Sequence, residues 1–161
     1  MSKRKYGITD DGRVEALVQG PWGDIGTVGG FIETTKNLSQ IGDAWVYSDA
    51  RVFGNARVYD DAVVAGRVQV YGDAMVSGNA MVTGSATVSG NAKVFGNAKV
   101  FGKAHVSEDA RVYDVAWVSG KAHVYGNAHV YGKARVYGKA HICGDTYEAG
   151  DTRLSGEYTN G

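Results

Sequence analysis

The stretch GNAKVFGNAKVFGKAHV, residues 90–106, decides the fold. Val94, Val100 and Val106 recur every six residues, each with an alanine two positions before it. Outward from this stretch the period runs from Val46 to Ile142, a valine-class residue at seventeen successive sixth positions. Only Val68 stands where the alanine would be. A period this strict marks a solenoid in which each unit stacks on its neighbours. Side chains alternate along a strand, so in Ala-x-Val-x the Ala and Val face one way and both x residues the other. The apolar pair is the core. The Gly-Asn, Gly-Lys or Gly-Asp that follows turns the corner, where Gly and Asn both tolerate positive φ. No stretch carries a convincing amphipathic helix.

The bulk numbers narrow the class. The chain has 161 residues with 24 glycines and one proline, so its glycine is periodic turn chemistry and not linker. One cysteine, Cys143, allows no internal disulfide and points to a reducing compartment. MSKRKYGITDDG has no apolar core of a signal peptide, and no run approaches the roughly 20 apolar residues of a membrane span. The expectation is a cytoplasmic protein without a membrane partner. Formal net charge is zero, but residues 91–141 hold eight Lys/Arg against three acids, and all four histidines. That half is electropositive, as a site for an anion requires.

The Val-x-Gly-x-Ala-x pattern from Asp43 to about Asp145 resembles the hexapeptide-repeat proteins, although most glycines of that family directly follow the aliphatic residue. The resemblance implies an all-β chain: a single-stranded left-handed parallel β-helix of five to six triangular coils, three hexapeptides to a coil, with an irregular N-terminal cap. The segments are then 1–42 as cap, 43–145 as β-helix and 146–161 as last coil or extension touching a neighbour. In the cap, Val14, Ala16 and Val18 alternate as one strand, and Gly20-Pro21-Trp22-Gly23 is a turn. A narrower resemblance lies in GGFIETTKNLSQIGDAWV, residues 29–46, which looks like the start of phage and bacterial hexapeptide proteins labelled putative transferases. Its shared positions, Gly29, Gly30, Phe31, Glu33, Asn37, Leu38, Ser39, Gly42 and Trp45, mainly build the cap.

With 18 residues to a coil, outward residues 18 apart stack in columns. Face one carries Trp45, Val63, Met81, Lys99, Trp117 and Arg135 beside Tyr47, Ala65, Thr83, Phe101, Ser119 and Tyr137. Outward Trp, Val and Met are costly in water, so another subunit is expected to cover part of this face. The family resemblance implies a homotrimer. Face two carries His105, His123 and His141 in line, beside Ser107, Tyr125 and Cys143. A straight ladder does not converge on one ion, so no metal site is expected. The γ-type carbonic anhydrase pattern also fails, since Thr146 stands five residues after His141. Face three carries Lys93, Arg111 and His129 beside Phe95, Tyr113 and Tyr131. A cationic column next to an aromatic one suits a flat anion.

Three functions follow. The first is a non-enzymatic oligomer, phage-encoded in one version. It holds a small anionic ligand such as a cyclic nucleotide in basic, aromatic grooves between subunits and so sequesters a host defence signal. Its ligand set is Arg111, Tyr113, His123, Tyr125, His129, Tyr131, Arg135 and Tyr137, with no cofactor. The second, implied by the resemblance, is an acyltransferase using acyl-coenzyme A, with His123 or His105 as base and Lys121 or Arg135 near the coenzyme phosphates. The repeats contain no insertion to close over an acceptor. The third is a structural scaffold. Long nucleic acid is not expected, because net charge is zero and the basic zone is short.

Overall fold

The computed structural model describes residues 3–156 and the backbone of 159–160. Parts of the expected cap and C-terminal extension beyond those bounds lie outside the described residues. Every regular element among them is a strand. Strands β1 (Tyr6–Ile8), β2 (Arg13–Ala16) and β3 (Val28–Ile32) open the chain, and two-residue strands follow, one per hexapeptide. The two-residue strands pair in parallel with the strand 18 residues on, as in Lys93↔Arg111 and His105↔His123. Three sheets result, one for each face. The chain is an all-β parallel solenoid.

The interior is columns of identical side chains. The repeat valines and alanines are 0–1% exposed, Val68 included. Valine suits these positions because its branched Cβ is restricted to few rotamers and packs well on a pleated surface.

The solenoid is longer than the hexapeptide count implies, about seven coils instead of five to six. The cap itself supplies a coil. In it, Phe31 pairs with Arg51 and Leu38 bridges Val58, both 20 residues on, two more than the regular step. Buried Asn37 serves as a side-chain substitute for ladder bonds. Its Nδ2 donates to Gly54 O and Ala56 O, and its Oδ1 accepts from Thr34 N. At the other end Tyr147–Glu148 and Arg153–Leu154 stay in register although Thr and Glu replace Ala and Val. Backbone pairing does not depend on the inward side chain.

The corner differs from expectation at one point. The left-handed residue is the one two after each valine, a glycine with φ between 62° and 91° at the regular corners, and never the following asparagine. Asparagine instead joins coils: Asn55, Asn91 and Asn127 donate to Asp73, Asp109 and Asp145. Where Asp60, Glu108 and Asp114 take the glycine's place at φ 58–59°, their carboxylates accept from Gly78, Gly126 and Gly132 N–H.

Trp45 corrects the reading of face one. It is fully buried, covered by its own chain and not by another subunit. Trp22 stacks on it at 5.0 Å and Tyr6 meets it edge-on at 6.1 Å. Gly20 and Gly23 bridge to form the turn that presents Trp22. Gly29 and Gly30 admit this packing, since a Cβ on Gly29 would lie 2.3 Å from Val46 O and one on Gly30 2.6 Å from Ala50 O. Lys5 closes the cap: its ammonium donates to Gly42 O and Ala44 O and faces the Trp22 ring. Burial lowers its pKa to about 8.

Candidate functional site

The register confirms the columns and so places each candidate residue. Arg111, His129 and the neighbouring Tyr113 and Tyr131 lie on face three. His123 and Tyr125 lie on face two, Arg135 and Tyr137 on face one. One chain therefore spreads the eight residues over three sheets.

On face three the aromatic column is already filled. Phe95 stacks on Tyr113 at 4.9 Å with planes 2° apart, and Tyr113 on Tyr131 at 5.1 Å. The ring faces inside this stack contact each other, which leaves their edges outward. Tyr113 also meets His129 edge-on, with its hydroxyl 3.5 Å from Nδ1. Burial, then the Arg111 charge, hold the His129 pKa below its usual value.

On face two the histidines form a stack, His105 on His123 at 4.7 Å and His123 on His141 at 4.8 Å. Burial lowers the His123 pKa, and the charges of His105 and His141 lower it further. Among the described residues no carboxylate orients these rings as a catalytic base requires. No group of three His, Cys, Asp or Glu among the described residues is placed to hold a metal. A hydrogen bond with the Cys143 thiol holds the Tyr125 phenol above its usual pKa.

Face one differs. Its aromatic column runs Phe101, Ser119, Tyr137, tied coil to coil by backbone bonds. Ser119 leaves a vacant ring place between two aromatic side chains, one coil from each. In face three the equivalent middle place holds Tyr113. Beside the vacancy stands Trp117, with Lys99 Nζ 5.2 Å and Arg135 Cζ 4.7 Å from its ring centroid. Arg153 pairs in register with Arg135 on the next coil. An open groove of about 320 Å³ is lined by Phe101, Trp117, Ser119, Arg135, Tyr137 and Arg153. Another of about 280 Å³ lies across Trp117, towards Lys133. Tyr137 is 40% exposed. Sequence reasoning found Arg135 and Tyr137 but missed Trp117 and Arg153 as ligand contacts. Trp117 was read as interface, and Arg153 lay beyond the regular repeat. The signal available was the interrupted column itself.

Fold and repeat together define a β-solenoid repeat protein. The family model described as YdcK Beta solenoid repeat matches residues 50–66 and 76–90. No curated protein matches the chain. No described helix is long and apolar enough to cross a membrane.

Proposed function

We propose that this protein is an oligomeric binding solenoid that takes a planar anion, such as a nucleotide, on face one and holds it without turnover. The carrying observation is the vacant ring place at Ser119. A base inserted there stacks between Phe101 and Tyr137, and its anionic group meets Arg135 and Arg153. Base–aromatic stacking is worth about 1–3 kcal/mol per base, and guanidinium suits phosphate. Sequestering a nucleotide signal of host defence, in a phage, is the biological use this reading carries forward. A homotrimer would add a second subunit's face to the open groove.

The larger groove, about 500 Å³ at the foot of face three, has Lys36 and Arg57. Its Tyr59 hydroxyl turns towards the Met75 sulfur, and no column there has a ring missing between two rings. It fits a planar ligand less well.

The test fills the vacancy. Ser119→Tyr copies the Phe95–Tyr113–Tyr131 stack, which this backbone already accommodates. Titration with a panel of mono-, di- and cyclic nucleotides, followed by Trp117 fluorescence and calorimetry, should show a ligand that the wild type binds and Ser119→Tyr does not. Arg135→Ala should weaken it by about tenfold or more. Equal affinity of wild type and Ser119→Tyr would sink the site.

A further inference from the structure

The three corner columns of the prism are built on different chemistry. One alternates Asn55, Asp73, Asn91, Asp109, Asn127 and Asp145, and its three Asn-to-Asp bonds tie successive coils together. The corner between faces one and two ends instead in Lys103, Lys121 and Lys139, one per coil. Backbone bonds from Lys103 N to Gly120 O and Lys121 N to Gly138 O fix that stacking. Each lysine precedes by two residues a member of the His105–His123–His141 stack, in a thrice-repeated Gly-Lys-Ala-His. The result is two parallel ladders, ammonium and imidazole, along the solenoid axis.

Like charges directly stacked across neighbouring strands repel. The next outward column on face one is Phe101, Ser119 and Tyr137, and the next on face two beyond the histidines is Ser107, Tyr125 and Cys143. Neither holds an acid. Among the described residues none of the three lysines forms an ion pair. All three are exposed. A neutralising Asp or Asn is available to evolution at this corner, as Asp49 in the first regular coil shows. Three cations in a straight line, about 4.8 Å apart, match an anion whose charges also repeat along a line. Ser85 ends the cationic run on one side, so the strip is about 10 Å long and suits a short chain. Ammonium binds phosphate as a point charge, and a histidine beside it adds a donor on protonation.

We propose that Lys103, Lys121 and Lys139, flanked by the histidine stack, form a binding strip for a linear chain of linked phosphates. This stands on observations separate from the ring vacancy. The chain is either free oligophosphate or the phosphate tail of a nucleotide whose base sits at Ser119. The latter source rests on the function proposed above.

The probe is inorganic tripolyphosphate, which has no ring, titrated by calorimetry into the full-length protein at low salt. Lys121→Ser is the variant, because Ser85 already occupies this column, and circular dichroism and melting check its fold. Tripolyphosphate should bind about tenfold or more tighter than orthophosphate, and Lys121→Ser should weaken it about fivefold or more. Ser119→Tyr should leave tripolyphosphate affinity unchanged. If a nucleoside triphosphate loses affinity in both Lys121→Ser and Ser119→Tyr, the strip holds a nucleotide tail. If it responds only to Lys121→Ser, the strip holds a free chain. Equal tripolyphosphate affinity in wild type and Lys121→Ser overturns the proposal, as does equal affinity for orthophosphate and tripolyphosphate. So does loss through Ser119→Tyr alone.

Discussion

Asn37 shows how much a single polar residue does in this chain. It is fully buried, and its amide satisfies two carbonyls of the following coil where the irregular first coil has no strand to do so. Asn37→Ala should therefore destabilise the protein by about 2–3 kcal/mol, read from chemical melts, because Gly54 O and Ala56 O lose their donor. Asn37→Asp should cost more, since a carboxylate would face two carbonyl oxygens. His123 makes the pH prediction. Burial and its two histidine neighbours lower its folded pKa from the usual 6.5. The unfolded chain then binds more protons between the two pKa values, so stability is lost as pH falls through about 6.5 and levels off once the folded imidazole is protonated. His129 acts in the same direction through burial and Arg111. The melting temperature should fall between about pH 7.5 and pH 5, and His123→Asn should flatten that slope. Above about pH 5 most carboxylates stay ionised and do not mask it.

At the scale of the element, the corner controls whether a hexapeptide joins the stack. Gly102 has φ 73°, and a Cβ there would lie 3.0 Å from the backbone of Gly120. Gly102→Ala should cost about 1–3 kcal/mol, from left-handed strain and crowding together. Gly102→Asp should cost less, because Asp60 and Asp114 offset the same strain by accepting the next coil's amide. Thermal melts of the pair would decide this; an alanine milder than the aspartate would remove the role assigned to the carboxylate. The core gives a companion expectation. Val100→Ala should destabilise by about 2–3 kcal/mol, measured by denaturant unfolding, as a cavity opens in a column of fully buried valines. The two-residue strands were legible in the hexapeptide because period alone sets their facing. Strand β1 was not, since Tyr6–Ile8 has no periodicity and is held by pairing with β2.

For the whole molecule, the rigid stack turns sequence columns into surface columns, and function is read along the axis. Native mass spectrometry of protein purified from cells should show a trimer carrying extra mass in the nucleotide range, and Ser119→Tyr should return that species to the bare protein mass. A bare wild-type oligomer that also ignores nucleotides in titration would favour the scaffold. Part of the candidate site could be read beforehand. Arg135 and Tyr137 follow from the basic, aromatic C-terminal half. The vacancy at Ser119 was visible as a serine between two aromatic residues, but its meaning required knowing that the face-three rings fill their own stack. The lysine ladder was hidden because corner residues read as turn chemistry.

The sequence by itself determined the inward valines and alanines, the 18-residue register and the charge of each column. These depend on strand alternation and on a repeat with one periodic solution, both local. Tertiary structure alone decided that the cap adds a coil, that Trp45 is covered by Trp22 and Tyr6, and that glycine and not asparagine takes the left-handed corner. It also decided which aromatic faces are occupied. Those outcomes depend on contacts between segments with no common period, where packing and close backbone approach choose among arrangements that local pattern leaves equal.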